Sequence, residues 1–241
     1  MTRLRIINWA ARAEGRESKA QWHAWAGAAA PVVAPKPADT MPMLLRRRLG
    51  PLGQRAVAAA YETGVDPGAR YIFCSRHGDL RRTVTLLSAI AAREPLSPAE
   101  FSVSVHNAFA GLLSIAAHAT AGHTALAAGP DTFAFGLVEA LGCLAASPHE
   151  RVLLVYYDEE PPAPYGELPT ATGEGLALAL LLAADEPAAP GERVEVGAEP
   201  GPGAAVETTR QAFDCLRFLA SRDGRRYSAG GRIDVEWRRA G

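Results

Sequence analysis

The sequence predicts an α/β fold: a mixed central sheet covered by helices on both faces. Three observations carry this. Short apolar runs bounded by turn residues alternate with segments of helical spacing along most of the chain. The run from Arg151 to Tyr157 is continuous, β-branched and aromatic, as a strand buried on both faces requires. Residues 175–184 form a second continuous apolar run that suits helix or strand by composition. In an alternating context it is read as a strand paired beside 151–157.

The elements follow in order. Residues 3–9 read as an opening strand, and residues 10–40 show little periodicity, with Trp22 and Trp25 placed to pin a loop or short helix to the body. From Pro42, the residues Met43, Leu44, Leu49, Leu52, Ala56 and Ala60 have helical spacing, with a break near Gly50-Pro51 and Gly64 as the stop. Residues 70–75 read as a buried strand and 79–92 as a helix. Ser97-Pro98-Ala99-Glu100 is a helix start, with a capping hydroxyl, a proline at the first position and a carboxylate at the third. A strand is expected over Phe101–Val105, then a small-residue helix over Asn107–Ala119, a short strand over Thr124–Ala128 and a helix over 131–147 with Asp131 as its N-cap. Pro161–Pro169 reads as a loop. Pro187–Pro202 reads as a turn-rich connection with at most one edge strand, Val206–Ala220 as a helix, and Arg232–Trp237 alternates like a half-buried strand. These elements divide into a main domain over 1–185, a Pro/Gly-rich connection over 186–204, and a helix and strand over 205–241 packed on the same domain.

Composition narrows the function classes. At 48% hydrophobic and net charge -1 over 241 residues, the chain is neither disordered nor collagen-like. The balanced charge argues against nucleic acid or an anionic membrane as the main partner, since both call for excess Lys and Arg. Among the basic side chains only Lys19 and Lys36 are lysines. The N-terminus lacks the apolar core and cleavage site of a signal peptide, and no apolar run reaches the roughly 20 residues of a membrane span. A cytoplasmic protein is expected.

Candidate chemistry is sparse. Cys74 stands at a strand end with His77 three residues on, a spacing compatible with a thiol and its base. Cys143 and Cys215 are isolated, so neither a disulfide framework nor a zinc cluster is expected. The six histidines form no HxxxH pair with a nearby acid, and no metal site is expected. Asp158-Glu159-Glu160 reads as a solvated turn. No phosphate-binding glycine loop is present and no cofactor is expected.

One segment rises above this background: Ser102-Val103-Ser104-Val105-His106-Asn107-Ala108-Phe109-Ala110-Gly111, followed by Gly122 and Ala128-Gly129-Pro130-Asp131-Thr132. It resembles the N-terminal half of β-ketoacyl-ACP synthases of the thiolase-like superfamily. In those enzymes an Asn-x-x-Ala-Gly helix lies at the dimer interface and precedes a strand. That strand ends in a sharp turn carrying the nucleophilic cysteine, whose thiolate the next helix's N-terminus favours. Here the position falls on Pro130 or Asp131, and neither is a cysteine. The two histidine motifs and the lysine motif of the second half are also missing. The resemblance therefore implies a thiolase-like half-fold lacking the C-terminal half of a full ketosynthase, and no condensation by this chain alone.

With Leu45-Arg46-Arg47-Arg48-Leu49 and Phe73-Cys74-Ser75-Arg76-His77-Gly78, the resemblance over residues 3–185 narrows to short chain-length factors of aryl polyene-type biosynthesis. It implies a non-catalytic subunit that pairs with an active β-ketoacyl-ACP synthase, walls the acyl tunnel and meets acyl carrier protein through the complex. Val105 would match a tunnel-floor position. Asn107, Phe109, Gly111, Leu112 and Leu113 are the neighbouring tunnel or interface candidates, and each is equally readable as an ordinary core residue. Two other readings stand beside it: a small cysteine-dependent acyltransferase or hydrolase using Cys74 and His77, and a homodimeric scaffold presenting Arg46, Arg47 and Arg48 to an acidic carrier.

Overall fold

The sheet starts with the longest strand. In the computed structural model, which describes residues 1–28, 41–163, 165, 175–203 and 207–240, β1 spans Thr2–Ala13. It runs past the residue 9 expected from sequence because a bulge between Ile6 and Asn8 resets the alternation. Leu4 and Ile6, then Trp9, Ala11 and Ala13, all reach the same core layer despite the change of parity. Next, α1 (Lys19–Trp25) is held by a capping box between Ser18 and Gln21. Trp22 is buried and its indole N–H donates to the Ala11 carbonyl at 2.7 Å. Lys19 thus opens a helix, and its ammonium donates to Asn8 Oδ1 at 2.5 Å. Lys36 lies outside the described residues.

The break expected at Gly50-Pro51 separates α2 (Met43–Arg48) from α3 (Pro51–Thr63). After β2 (Arg70–Cys74) come α4 (Leu80–Ala91), capped by the Asp79 side chain, and α5 (Pro98–Ser102), capped by Ser97. The strand expected over Phe101–Val105 does not form. Hydroxyls close the chain into turns instead, Ser102 Oγ donating to the Ala99 carbonyl and Ser104 Oγ to that of Phe101. Five alternating residues were too few to override that local bonding. The remaining elements are α6 (Ala108–Ala116), β3 (His123–Leu126), α7 (Thr132–Ala146), β4 (Val152–Asp158), β5 (Leu176–Ala184), β6 (Glu192–Pro200), α8 (Arg210–Ala220), β7 (Arg225–Ser228) and β8 (Ile233–Arg239).

All eight described strands join one sheet in the order β3-β2-β4-β5-β1-β6-β8-β7. β2 is parallel to both β3 and β4, and every other pairing is antiparallel. β5 lies beside β4 as the sequence suggests, with Leu154 opposite Leu180. β6 is no edge strand: it fills the sheet between β1 and β8. The turn leading into it is tight, because Gly191 has a φ of 102° and a Cβ there would sit 2.5 Å from the Ile6 carbonyl oxygen.

Two cores flank the sheet. One face carries α7, α8 and α1 over Phe133, Leu137, Tyr156, Phe213, Phe218 and Trp237. The other carries α2, α3 and α6 over Leu52, Val57, Phe73, Phe109, Leu113 and Tyr157. Each large apolar side chain fully withdrawn from water contributes about 1.5–3 kcal/mol. By contrast α4 and α5 contain no buried side chain. Residues 79–102 therefore form an arm lying outside both cores, and Val103, buried in the second core, is where it rejoins the body.

Candidate functional site

In α/β sheets, ligands and reacting groups gather beyond the carboxyl ends of parallel strands. Here those ends belong to β2, β3 and β4. β4 ends at Asp158, which is buried and fully engaged. It accepts from Ser75 Oγ at 2.9 Å, from the Arg76 N–H at 3.0 Å and from the His77 N–H at 3.4 Å. Burial pushes its carboxyl above the ordinary range, and the bonds from Arg76, Ser75, Tyr156 and His77 oppose that rise. Glu159 is bound by Arg55 at 3.1 Å and Arg81 at 2.9 Å. Asp158 is thus a structural anchor for the Ser75–Gly78 turn and Glu159 an ion-pair partner, so of the acidic run only Glu160 is exposed as a solvated turn would have it. A carboxylate ending a fully apolar strand was the signal for the anchor.

The turn between β3 and α7 holds the position where the resemblance places a nucleophile. Asp131, not Pro130, faces the interior there, with only 2% of its surface exposed. Its carboxylate does not cap α7 as the sequence suggested. Instead Oδ1 accepts the Gly231 N–H at 2.7 Å and Oδ2 the Arg232 N–H at 3.1 Å. Arg232 adds a charge contact at 3.6 Å, donates to the Ala128 carbonyl at 2.6 Å and stacks on Phe135. The start of the helix is served by Thr132, whose Oγ1 accepts from the Ala128 N–H at 2.9 Å and donates to the Gly129 carbonyl at 2.7 Å. Gly230 is required by this seal, since a Cβ there would lie 2.7 Å from Asp131 Oδ1 and collide with the Ile233 carbonyl. The C-terminal loop therefore closes over the turn, and no thiol stands in it.

None of the cysteines substitutes. Cys74 is buried with its thiol on the Val155 carbonyl at 3.6 Å, and burial pushes its pKa well up. Cys215 is equally buried, and Cys143 lies half-buried toward the far end of α7. Burial, Arg76 and His106 hold the His77 imidazole below its ordinary pKa. A buried thiol that resists ionisation is a poor nucleophile, and its hydrogen-bond partner is the Val155 carbonyl, not His77. Among the described residues no group of histidine, cysteine and carboxylate side chains could hold a metal ion.

The segment Val105–Leu113 divides between surface and core. Phe109 is 2% exposed and its ring lies 5.0 Å from that of Tyr157, under Gly53 of α3. Leu113 is fully buried in the same layer and Leu112 packs against it from a half-buried position. Val105 and Asn107 are exposed, and a Cβ on Gly111 would meet nothing within 4 Å. Asn107, Gly111 and the exposed Ile115 follow one another at helical spacing, so they share one outward stripe of α6. The arm separately exposes Leu87, Ile90, Leu96 and Phe101. The arm returns to the body where His106 packs on Gly78 and donates its Nε2–H to the Leu126 carbonyl, 3.3 Å away. β3, at the sheet's edge, lies against α6.

Comparison with known proteins identifies the family and fold. The family model of the β-ketoacyl synthase N-terminal domain covers residues 21–238. Among solved structures, a chain of the complex between the ketosynthase ApeO and its chain length factor ApeC from Xenorhabdus doucetiae superposes with a TM-score of 0.81 at 27% identity, over 99% of this chain and 100% of that one. A chain of the ishigamide ketosynthase/chain length factor aligns at TM-score 0.62 and 18% identity, over 90% of this chain and 73% of that one. A β-ketoacyl synthase from Burkholderia phymatum aligns at 0.57 and 14%, over 93% and 71%. A search of curated proteins returned no match. No helix among the described residues is long and apolar enough to cross a membrane. With its mixed thiolase-like sheet and a family match across most of its length, the chain belongs to the β-ketoacyl synthase N-terminal domain family.

Proposed function

We propose that this chain is a non-catalytic chain-length factor that pairs with an active β-ketoacyl-ACP synthase and shapes the acyl tunnel of a polyene-type biosynthetic assembly. The observation that supports the reading is the turn between β3 and α7, where the resemblance would place the nucleophile: Asp131 stands there instead of a cysteine, its two oxygens held by the backbone of Gly231 and Arg232. A buried carboxylate with both oxygens engaged has no free electron pair aimed at a thioester, and no other thiol reaches the turn. The likeness to a chain of the ApeO–ApeC complex supports pairing with a ketosynthase. The exposed apolar side chains of the arm, Leu87, Ile90, Leu96 and Phe101, and Ile115 on the α6 stripe offer such a partner apolar contacts. Val105, at the stripe's start, is our candidate for the tunnel floor, where a larger side chain would shorten the product and a smaller one lengthen it. Acyl carrier protein would be met through the assembled pair.

The test is co-expression with the ketosynthase of the same gene cluster, followed by size-exclusion chromatography and product analysis. A stable complex whose product length responds to Val105→Ala and Val105→Trp supports the proposal. A well-behaved monomer that never co-elutes with the ketosynthase would overturn it.

A further inference from the structure

We infer that the apolar docking face is charge-polarised so that it accepts a subunit rimmed with carboxylates and rejects a second copy of this chain. This rests on the pairing reading above and adds the chemistry of the partner's surface. α2 lies against α6 and exposes Met43 and Leu44, 67% and 78% accessible, together with Arg46, Arg47 and Arg48. Arg82 ties the arm to it. Its guanidinium binds Asp79 Oδ2 at 3.0 Å, pairs with Glu100 and reaches the Arg48 carbonyl at 3.5 Å. Between the two, Gly50 and Pro51 face Leu86 and Leu96 across an open cleft of about 370 Å3. Apolar groups and arginines therefore belong to one continuous surface.

Among the described residues the arginines of α2, Arg46, Arg47 and Arg48, are not offset by ion pairs, and Arg93 stands exposed at the end of α4. On α2 and the arm the carboxylates are Asp79, Glu94 and Glu100, and Arg82 already engages the first and third. A two-fold dimer would bring this patch onto itself, arginines toward arginines. Like charges brought together as an interface dries are repelled far more than in open water. A subunit with Asp or Glu opposite Arg46–Arg48 meets the reverse situation: steering toward the face and no self-competition. The occupant we assign is accordingly a ketosynthase subunit with an apolar face and an acidic rim.

The experiment uses the full chain and that ketosynthase. Association is measured for wild type and for Arg46→Gln/Arg47→Gln/Arg48→Gln at about 50 and 500 mM salt, beyond which exposed charges are largely screened. Circular dichroism confirms that the variant folds, and sedimentation of the chain alone reads self-association. We expect wild-type affinity to fall at least tenfold with salt, the variant to bind at least tenfold more weakly at low salt, and the variant alone to dimerise more than wild type. A ketosynthase complex indifferent to salt and to the substitutions overturns this inference and leaves pairing intact. So does a loss confined to isolated acyl carrier protein, or a wild-type homodimer tighter than the heteromer. Absence of any ketosynthase complex overturns both.

Discussion

Asp131 Oδ1 accepts the Gly231 backbone N–H at 2.7 Å, joining positions separated by 100 residues. The bond fastens the loop between β7 and β8 over the start of α7, and Oδ2 repeats it with the Arg232 N–H. Asp131→Ala leaves these donors without a partner while Gly231 stays buried. The expected cost is about 2 kcal/mol, which for a chain of this size lowers Tm by roughly 4–8 °C. Thermal unfolding followed by circular dichroism checks it, and an unchanged Tm would show that the seal carries no stability.

Asp158 gives a pH signature. Its folded-state pKa is raised, chiefly by burial, above the unfolded value near 3.8. A carboxyl raised in the folded state binds more protons there, so its contribution to stability is fully present below pH 3.8 and is lost as pH rises through the folded value. Asp158→Asn mimics the protonated form and has no such loss. The variant should therefore gain on wild type as pH is raised from about 3.5 to 7, read as the difference in urea midpoints. A gap that stays constant, or moves against the variant, contradicts a raised pKa at this position.

Periodicity carried the fold where the core decides structure. The β4 and β5 runs are continuous because both of their faces are covered, and the chain break at Gly50-Pro51 follows from the proline's fixed φ and missing donor. Where local polar bonding decides, periodicity misled, as with the serine-closed turn at 101–104. β6 was illegible for another reason. Its place depends on a distant strand, β1, whose N-terminal half offers an open edge beyond β5. For the site, the absence of a cysteine at Pro130-Asp131 is plain in the residue types alone. That Asp131 bonds to Gly231 instead of capping α7 is not, because nothing local signals a contact 100 residues away. The same holds for Phe109 and Leu113: helical spacing put them beside Gly111, but only the position of α3 turns them into the core.

Cys74 packs against Gly136 of α7, where a Cβ would lie 2.6 Å from Sγ and 3.2 Å from Leu154 Cδ1. Gly136→Ala gains helix propensity of up to ~1 kcal/mol but overfills this contact, and overpacking costs about 1–3 kcal/mol. A net destabilisation is expected. Cys74→Ala removes the sulfur at about 1 kcal/mol, and in the double variant the two effects should fall short of their sum, since the clash with Sγ is gone. A double-mutant cycle by urea unfolding reads this coupling. Full additivity would place the helix farther from β2. Because Cys74 acts here as packing, Cys74→Ala should also leave any ketosynthase complex and its product output unchanged.

Gly111 separates fold from partnership. It lies on the outward stripe of α6 between Asn107 and Ile115, and a Cβ added there faces open space, with no neighbouring side chain within 4 Å. Replacing a helix-interior glycine by leucine raises helix stability by about 0.5–1 kcal/mol, so Gly111→Leu should hold or raise the Tm of the chain alone. If the stripe packs against a ketosynthase, the added leucine fills space that the partner occupies, and an overfilled, closely packed interface costs affinity as an overfilled core costs stability. The expected result is an unchanged or higher Tm together with at least a tenfold weaker complex, measured by thermal unfolding and by titration calorimetry. Equal binding by Gly111→Leu would move the interface off α6. A lower Tm would show that the glycine serves this chain's own packing, and the two readouts keep those outcomes apart.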